Sequence, residues 1–343
     1  MAPPSRASAD PGQADADGTA SGGARHLPRT IVDIPTRTDR IFGASTTAAG
    51  LTVLALLTLT GIFLLLRSRD ALELMGWDFF TTEDWRPDVQ PPVYGVLGLV
   101  TGTVLVALVA VTIAIPLGVC AALFITDYSS RRWRSMLTSL VDLLAAIPSL
   151  LYGLWGFVML ASQLVPIAEW LARHVGWFPL FRTTGPDPQF YGSIFIAGTV
   201  VSLMVLPIVA SVSREVFAQT PPGEKEAALA LGGTRWGMVR MVVLPYGRAG
   251  VVGGSMLGLG RALGETIAVS LLLPQVPEVT GRILENGGAT VSGFIAISAG
   301  SGDELQTSAL MAAGLVLFVM TLVTNVLASV VVARSRSGAG VDA

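Results

Sequence analysis

Glu226-Ala227-Ala228, followed four residues later by Gly232 and closed by Leu244-Pro245, is a polar, partly basic stretch set between long apolar runs. Its spacing is E-A-A-x3-G-x9-V-x-L-P, with Val242 in the aliphatic slot. Pro221-Pro222-Gly223 breaks the structure that precedes it. Residues 224–231 are strong helix formers with acid in the first turn, where the helix dipole favours it. Gly232-Gly233 supplies a helix stop and a tight turn. Thr234 can cap a second helix over 235–244, which Pro245 is expected to end. The product is a helix–turn–helix held at a membrane face, with Ala227 and Ala228 small enough for a partner surface to approach closely. The plainer alternative is an amphipathic connector between spans.

The rest of the chain explains why that stretch stands out. A mean hydropathy of +0.64, with 52% hydrophobic and 13% charged residues among 343, belongs to the membrane class. One cysteine, Cys120, lies in an apolar run, which rules out an intrachain disulfide and a cysteine zinc cluster. His26 and His174 are far apart, so no His/Cys catalytic or metal constellation arises. Lys225, the single lysine, stands between Glu224 and Glu226 and cannot be the lysine of a phosphate-cradling G-x-x-x-x-G-K-[ST] loop. No catalytic residue, metal or cofactor is expected. If ATP drives this protein, the ATPase is another polypeptide.

Residues 1–40 lack apolar periodicity and read as a disordered cytoplasmic tail, not a secretory signal. A permease domain over 41–335 follows, then a short cytoplasmic tail, 336–343. Six apolar stretches near 44–66, 94–126, 136–160, 191–213, 246–273 and 307–333 are each long enough to cross a bilayer. Pro116 should kink the second or mark its exit. Residues 161–190, with Trp170, Trp177 and Phe178, read as an interfacial loop or short helix. With the N-terminus inside, fifteen of the 22 Lys and Arg residues fall on the cytoplasmic side, so both termini are expected there, with 214–245 as the coupling loop. Arg67 and Arg69 run against that bias, and the external 67–92 loop is acidic.

The fifth stretch carries Gly258-Leu259-Gly260-Arg261-Ala262-Leu263-Gly264-Glu265-Thr266. Arg261 lies about 22 Å up a helix counted from Tyr246, near mid-bilayer. An arginine there costs about 2.5–3.5 kcal/mol or more, so it should face a partner or a wet pathway. Glu265, four residues on, is placed to pair with it. Gly250, Gly254 and Gly258 form a groove for close helix packing. Arg261 and Glu265 are either a structural ion pair or a fixed positive charge offered to an anion, held by Glu265 when the path is empty. Asp142 is a further charge in the third stretch, near its cytoplasmic end.

The run Ala145-Ala146-Ile147-Pro148-Ser149-Leu150-Leu151-Tyr152-Gly153-Leu154-Trp155-Gly156, together with Leu244-Pro245-Tyr246 and Leu259 through Thr266, resembles the PstC-type permeases of phosphate ABC importers. The likeness runs from about 40 to 335. Tyr-Gly-Leu-Trp-Gly favours that side over the PstA-type permease, which shares the Arg-Ala-x-Gly-Glu-Thr element. The resemblance implies an all-α membrane protein with six transmembrane helices, the type I ABC-importer permease fold and a cytoplasmic coupling helix seated in a cleft of the ATPase. It implies a heterodimer with a PstA-type subunit, two ATP-binding subunits, an external phosphate-binding protein, the cell membrane as location and no nucleic-acid partner. It assigns Arg261 and Glu265 to the phosphate pathway, Glu226 to orienting contacts, Ala227 and Ala228 to close packing, and Gly232 to the turn. A permease for another oxyanion is the alternative; an ion-coupled secondary transporter would leave the E-A-A spacing unexplained.

Overall fold

Long runs of Leu, Val, Ala and Ile without turn residues fold as helices because a bilayer leaves no other way to satisfy the backbone. The computed structural model describes residues 36–185, 187–300 and 302–336, without the side chains of 334–336. The expected tails lie outside the described residues, apart from 36–40 and 336. Residues Met1–Ala55 and Leu56–Ala343 form two units. Helix α1 (Arg37–Arg67) begins within the first and buries no side chain.

Outside the spans, α2 (Arg69–Met75) and α3 (Asp78–Thr81) lead into a hairpin of β1 (Trp85–Arg86) and β2 (Val93–Tyr94), pairing Trp85 with Tyr94. Phe79 and Tyr94 are fully buried there, and Trp85 packs edge-on against Tyr94 and Phe294 at 5.1 Å each. Burial pushes the Tyr94 phenol up, and the Asp303 carboxylate adds to the rise. The acidic segment is thus folded, its apolar residues packed in one cluster with Leu99, Phe294 and Leu310.

The centre is α4 (Leu97–Leu123) against α8 (Ile194–Ala218). Val106, Ala110 and Ala114 meet Val200, Val201, Val205 and Val209 in one buried cluster. Pro116 lies inside α4, which continues through it to Leu123 and a wider π-turn, Phe124–Tyr128. Ser193 caps α8, its hydroxyl accepting from the Ile196 N–H.

The third span departs from the expected 136–160. Pro148 disfavours helical backbone at the residue before it, and Ile147 is extended (φ −67°, ψ 129°). The chain therefore divides into α5 (Arg131–Ala146), an amphipathic helix with basic residues in its first turns, and a separate apolar rod. That rod is α6 (Ser149–Trp155), a π-turn and α7 (Ala161–Val175), so the membrane-length helix is Ser149–Val175. Residues 161–175, expected in an interfacial loop or short helix, form the second half of that span, and Asp142 lies on α5 outside the span, 3.6 Å from Arg214.

After α8 come α9 (Pro222–Ala230), α10 (Arg235–Met238), a π-turn (Val239–Val243) and α11 (Leu244–Leu263). Pro245 does not end the second loop helix. Arg235–Leu263 is one membrane-length helix, because the wider turn before Pro245 relieves the clash and missing N–H that a proline brings to an α-helix. Then come α12 (Ile267–Leu272), α13 (Val291–Ser298) and α14 (Glu304–Arg336). Irregular backbone between α12 and α13 is satisfied by buried side chains: Gln275 Oε1 accepts from the Thr290 N–H at 3.1 Å and Thr103 Oγ1 from the Val291 N–H at 2.9 Å. Gly98 and Gly102 on α4 let that backbone approach; a Cβ on Gly98 would lie 2.7 Å from the Pro277 carbonyl oxygen. Six described helices are long and apolar enough to cross a membrane.

Candidate functional site

Helix α9 starts where the sequence makes it start: Pro221 is extended, Pro222 opens the first turn, and Glu224 sits in it. It ends in a paired capping arrangement. The Gly232 N–H donates to the Leu229 carbonyl at 3.0 Å and the Gly233 N–H to the Ala228 carbonyl at 3.2 Å, with Gly232 at φ +83°. Thr234 caps α10, its hydroxyl accepting from the Gly237 N–H at 3.0 Å. The exposed face presents Glu226, Ala227 and Gly232, while Ala228 is half-buried against the cluster of Phe217, Met238 and Val239.

Two features of this loop escape a reading of the spacing alone. Leu231 is 90% exposed and Trp236 is also exposed, so the free face carries apolar surface beyond Ala227. Lys225 turns inward, its Nζ 2.7 Å from Asp127 Oδ1. An apolar residue just before the turn glycine was the available signal for the first; nothing in the linear sequence joins residues 127 and 225.

The intramembrane charges sit differently from their expected i,i+4 pairing. Helix α11 stops at Leu263, Gly264 leaves helical geometry (φ −92°, ψ 1°), and Glu265 falls in the break before α12. Glu265 is buried, and its Oε1 accepts from the Ala268 N–H at 3.2 Å. Ser292 Oγ donates to the Glu265 backbone carbonyl at 2.8 Å. Arg261 is exposed and forms no ion pair with Glu265 or any other described residue. The helix break removes the periodicity on which the pairing rested, so the two residues are neighbours in sequence with separate surroundings.

The glycine groove is where the spacing puts it. A Cβ on Gly258 would lie 2.6 Å from Val205 Cγ1, one on Gly254 3.0 Å from Val212 Cβ, and one on Gly250 would run into Val216. The stripe lets α11 lie directly on α8. Ala262 is buried beside that seam while Arg261 stays off it. Gly253, off the seam, helps line a largely apolar groove of about 560 Å³ with Met256, Asn325 and Ala328.

Six membrane-length helices among the described residues, a close-packed α4–α8–α11 centre and an exposed helix–turn–helix define a multi-pass membrane protein. Residues 114–337 match the family described as the binding-protein-dependent transport system inner membrane component. The "Phosphate transport system permease protein PstC 2" of Mycobacterium tuberculosis is 44% identical over 304 residues, 88% of this chain and 94% of that one. The "Phosphate transport system permease protein PstC" of Xylella fastidiosa (strain Temecula1) is 38% identical over 299 residues, 87% of this chain and 91% of that one. A bacterial ABC transporter involved in the import of the acidic polysaccharide alginate superposes with a TM-score of 0.55 at 18% identity, over 87% of this chain and 96% of that one, a likeness of fold. The chain belongs to the binding-protein-dependent inner-membrane permeases and, within them, to the PstC-type.

Proposed function

We propose that this chain is the permease subunit that carries inorganic phosphate across the cell membrane, driven by ATP hydrolysed on separate subunits. The observation that carries the reading is Arg261, an exposed guanidinium with no ion-pair partner among the described residues, in the last turn of a membrane-length helix whose other arginines, Arg235, Arg240 and Arg248, lie in its first half. A charge facing lipid is costly, by about 2.5–3.5 kcal/mol at a helix centre. Arg261 belongs against a second subunit or a wet path, where it gives an oxyanion a fixed counter-charge with planar, bidentate donors. Similarity to phosphate permeases over most of the chain selects phosphate among the oxyanions.

The remaining assignments follow from that role. Glu226, Ala227, Ala228 and Gly232 form the docking helix for the ATPase, and both termini lie on its side, the cytoplasm. A PstA-type subunit completes the pathway, two ATP-binding subunits drive it, and an external binding protein delivers phosphate, since the acidic 67–92 segment repels anions. An ion-coupled secondary transporter needs no docking helix.

The test is phosphate uptake by cells carrying Arg261→Gln, with assembly of the complex measured alongside. Lost uptake with an intact complex is expected. Normal uptake in the assembled variant overturns Arg261 as the phosphate counter-charge.

A further inference from the structure

Helix α9 buries none of its own side chains. Its firmest polar tie to the rest of the chain is Lys225, whose Nζ is 2.7 Å from Asp127 Oδ1 and 3.5 Å from the Phe217 carbonyl oxygen. Asp127 lies in the π-turn that ends α4, and Phe217 in the last turn of α8. The side chains are 20% exposed for Lys225 and 5% for Asp127, so water screens their attraction little. Asp127 Oδ2 is buried without a partner, which leaves Lys225 as the compensation for that carboxylate. Apolar contact of Ala228 with Phe217, Met238 and Val239 already anchors the helix. In addition, a charged tie runs from the docking helix to the ends of the two helices at the centre of the fold.

We infer that Lys225 and Asp127 are a coupling strut: positioning residues through which movement of the docking helix is passed to α4 and α8. The inference rests on the reading of α9 as the ATPase-docking helix and adds the route by which that movement enters the membrane. A docking helix without the strut still binds its ATPase but slides against the span ends, so hydrolysis continues with less transport.

The experiment is the number of phosphate ions moved per ATP hydrolysed by the complete reconstituted complex. Lys225→Met or Asp127→Asn alone leaves a buried charge unpaired and is expected to weaken assembly. The double variant Lys225→Met/Asp127→Asn removes both charges and keeps the shapes. It is expected to assemble, to retain ATPase activity, and to move about tenfold less phosphate per ATP, the scale of coupling losses along such networks. Lys225→Arg, which keeps the charge, is expected to recover most of the ratio. An anchoring role would leave the ratio unchanged in any complex that assembles, so an assembled double variant with the wild-type ratio overturns the inference. Failure of the double variant to assemble also overturns it, since the pair is then an anchor. If the unaltered chain does not retain an ATPase at all, the docking reading falls first, and that control separates the two failures.

Discussion

Gly232 offers the most direct measure of whether α9, proposed as the docking helix, must hold the shape seen here. Its φ of +83° lies in the left-handed region, which costs an L-residue about 1–2 kcal/mol. A Cβ built there meets nothing within 4 Å, so Gly232→Ala carries the backbone term alone. Helix α9 buries no side chain and has little else with which to absorb that cost. The penalty should therefore appear as a smaller population of the docking-competent turn, not as unfolding of the spans. About 1–2 kcal/mol corresponds to about 5- to 30-fold weaker ATPase binding. Gly232→Asn should lose less, because asparagine visits this region more readily. Gly232→Pro should lose most, since its φ is fixed near −65° and the N–H that donates to Leu229 disappears. The assay is titration of the purified ATPase against the detergent-solubilised permease pair, with thermal stability of the pair as control. Wild-type affinity for the alanine variant, or a ranking other than Asn, Ala, Pro, would refute the claim that the turn is held in this geometry for docking.

Arg261→Gln should abolish phosphate uptake without loss of assembly, as set out above. Glu265→Gln should fold normally, because its amide oxygen can still accept from the Ala268 N–H; Glu265→Leu removes that acceptor and should cost about 1–3 kcal/mol, read as lower thermal stability. On the seam with α8, Gly250→Ala or Gly258→Ala forces the helices apart and should destabilise by about 1–3 kcal/mol. Gly253→Ala, whose Cβ would meet only Val332 at 3.6 Å, should not; equal thermal stability of the seam and off-seam variants would refute the packing assigned to the stripe. The paired Lys225 and Asp127 variants complete the set.

Hydrophobic run length made the membrane class and the number of spans legible, and the spacing after Glu226 made the helix–turn–helix of α9 and α10 legible, because both are local patterns. The third span was not, and the reason is physical. Leu140, Leu143 and Leu144 extend the apolar count toward Pro148, but the proline and extended Ile147 separate them into an amphipathic helix. Composition cannot distinguish an apolar helix face from a span when a break sits inside the window. Pro245 misleads in the opposite direction: a residue that usually ends a helix is accommodated by five residues of wider turn, which no single-residue rule anticipates. The Gly250, Gly254 and Gly258 groove was legible because the helix carrying it is regular. The Arg261–Glu265 pairing failed because that regularity stops at Leu263.

The contrast between Lys225 and Arg261 carries the functional argument furthest. Both are cations whose sequence neighbours explain little. The fold compensates Lys225 with Asp127 and leaves Arg261 without an ion-pair partner among the described residues, so one charge is assigned to holding and the other to meeting something outside this chain. A cation that only stabilised the fold would resemble Lys225. Keeping Arg261 unpaired in the last turn of a membrane-length helix, at the cost of a charge facing lipid, requires a second surface or a passing anion, and Arg261→Lys separates those uses. Lysine keeps the charge but loses the planar fork. Uptake retained at lowered phosphate affinity would mark a counter-charge along the path, whereas failure of the two permease subunits to associate would mark a contact between them.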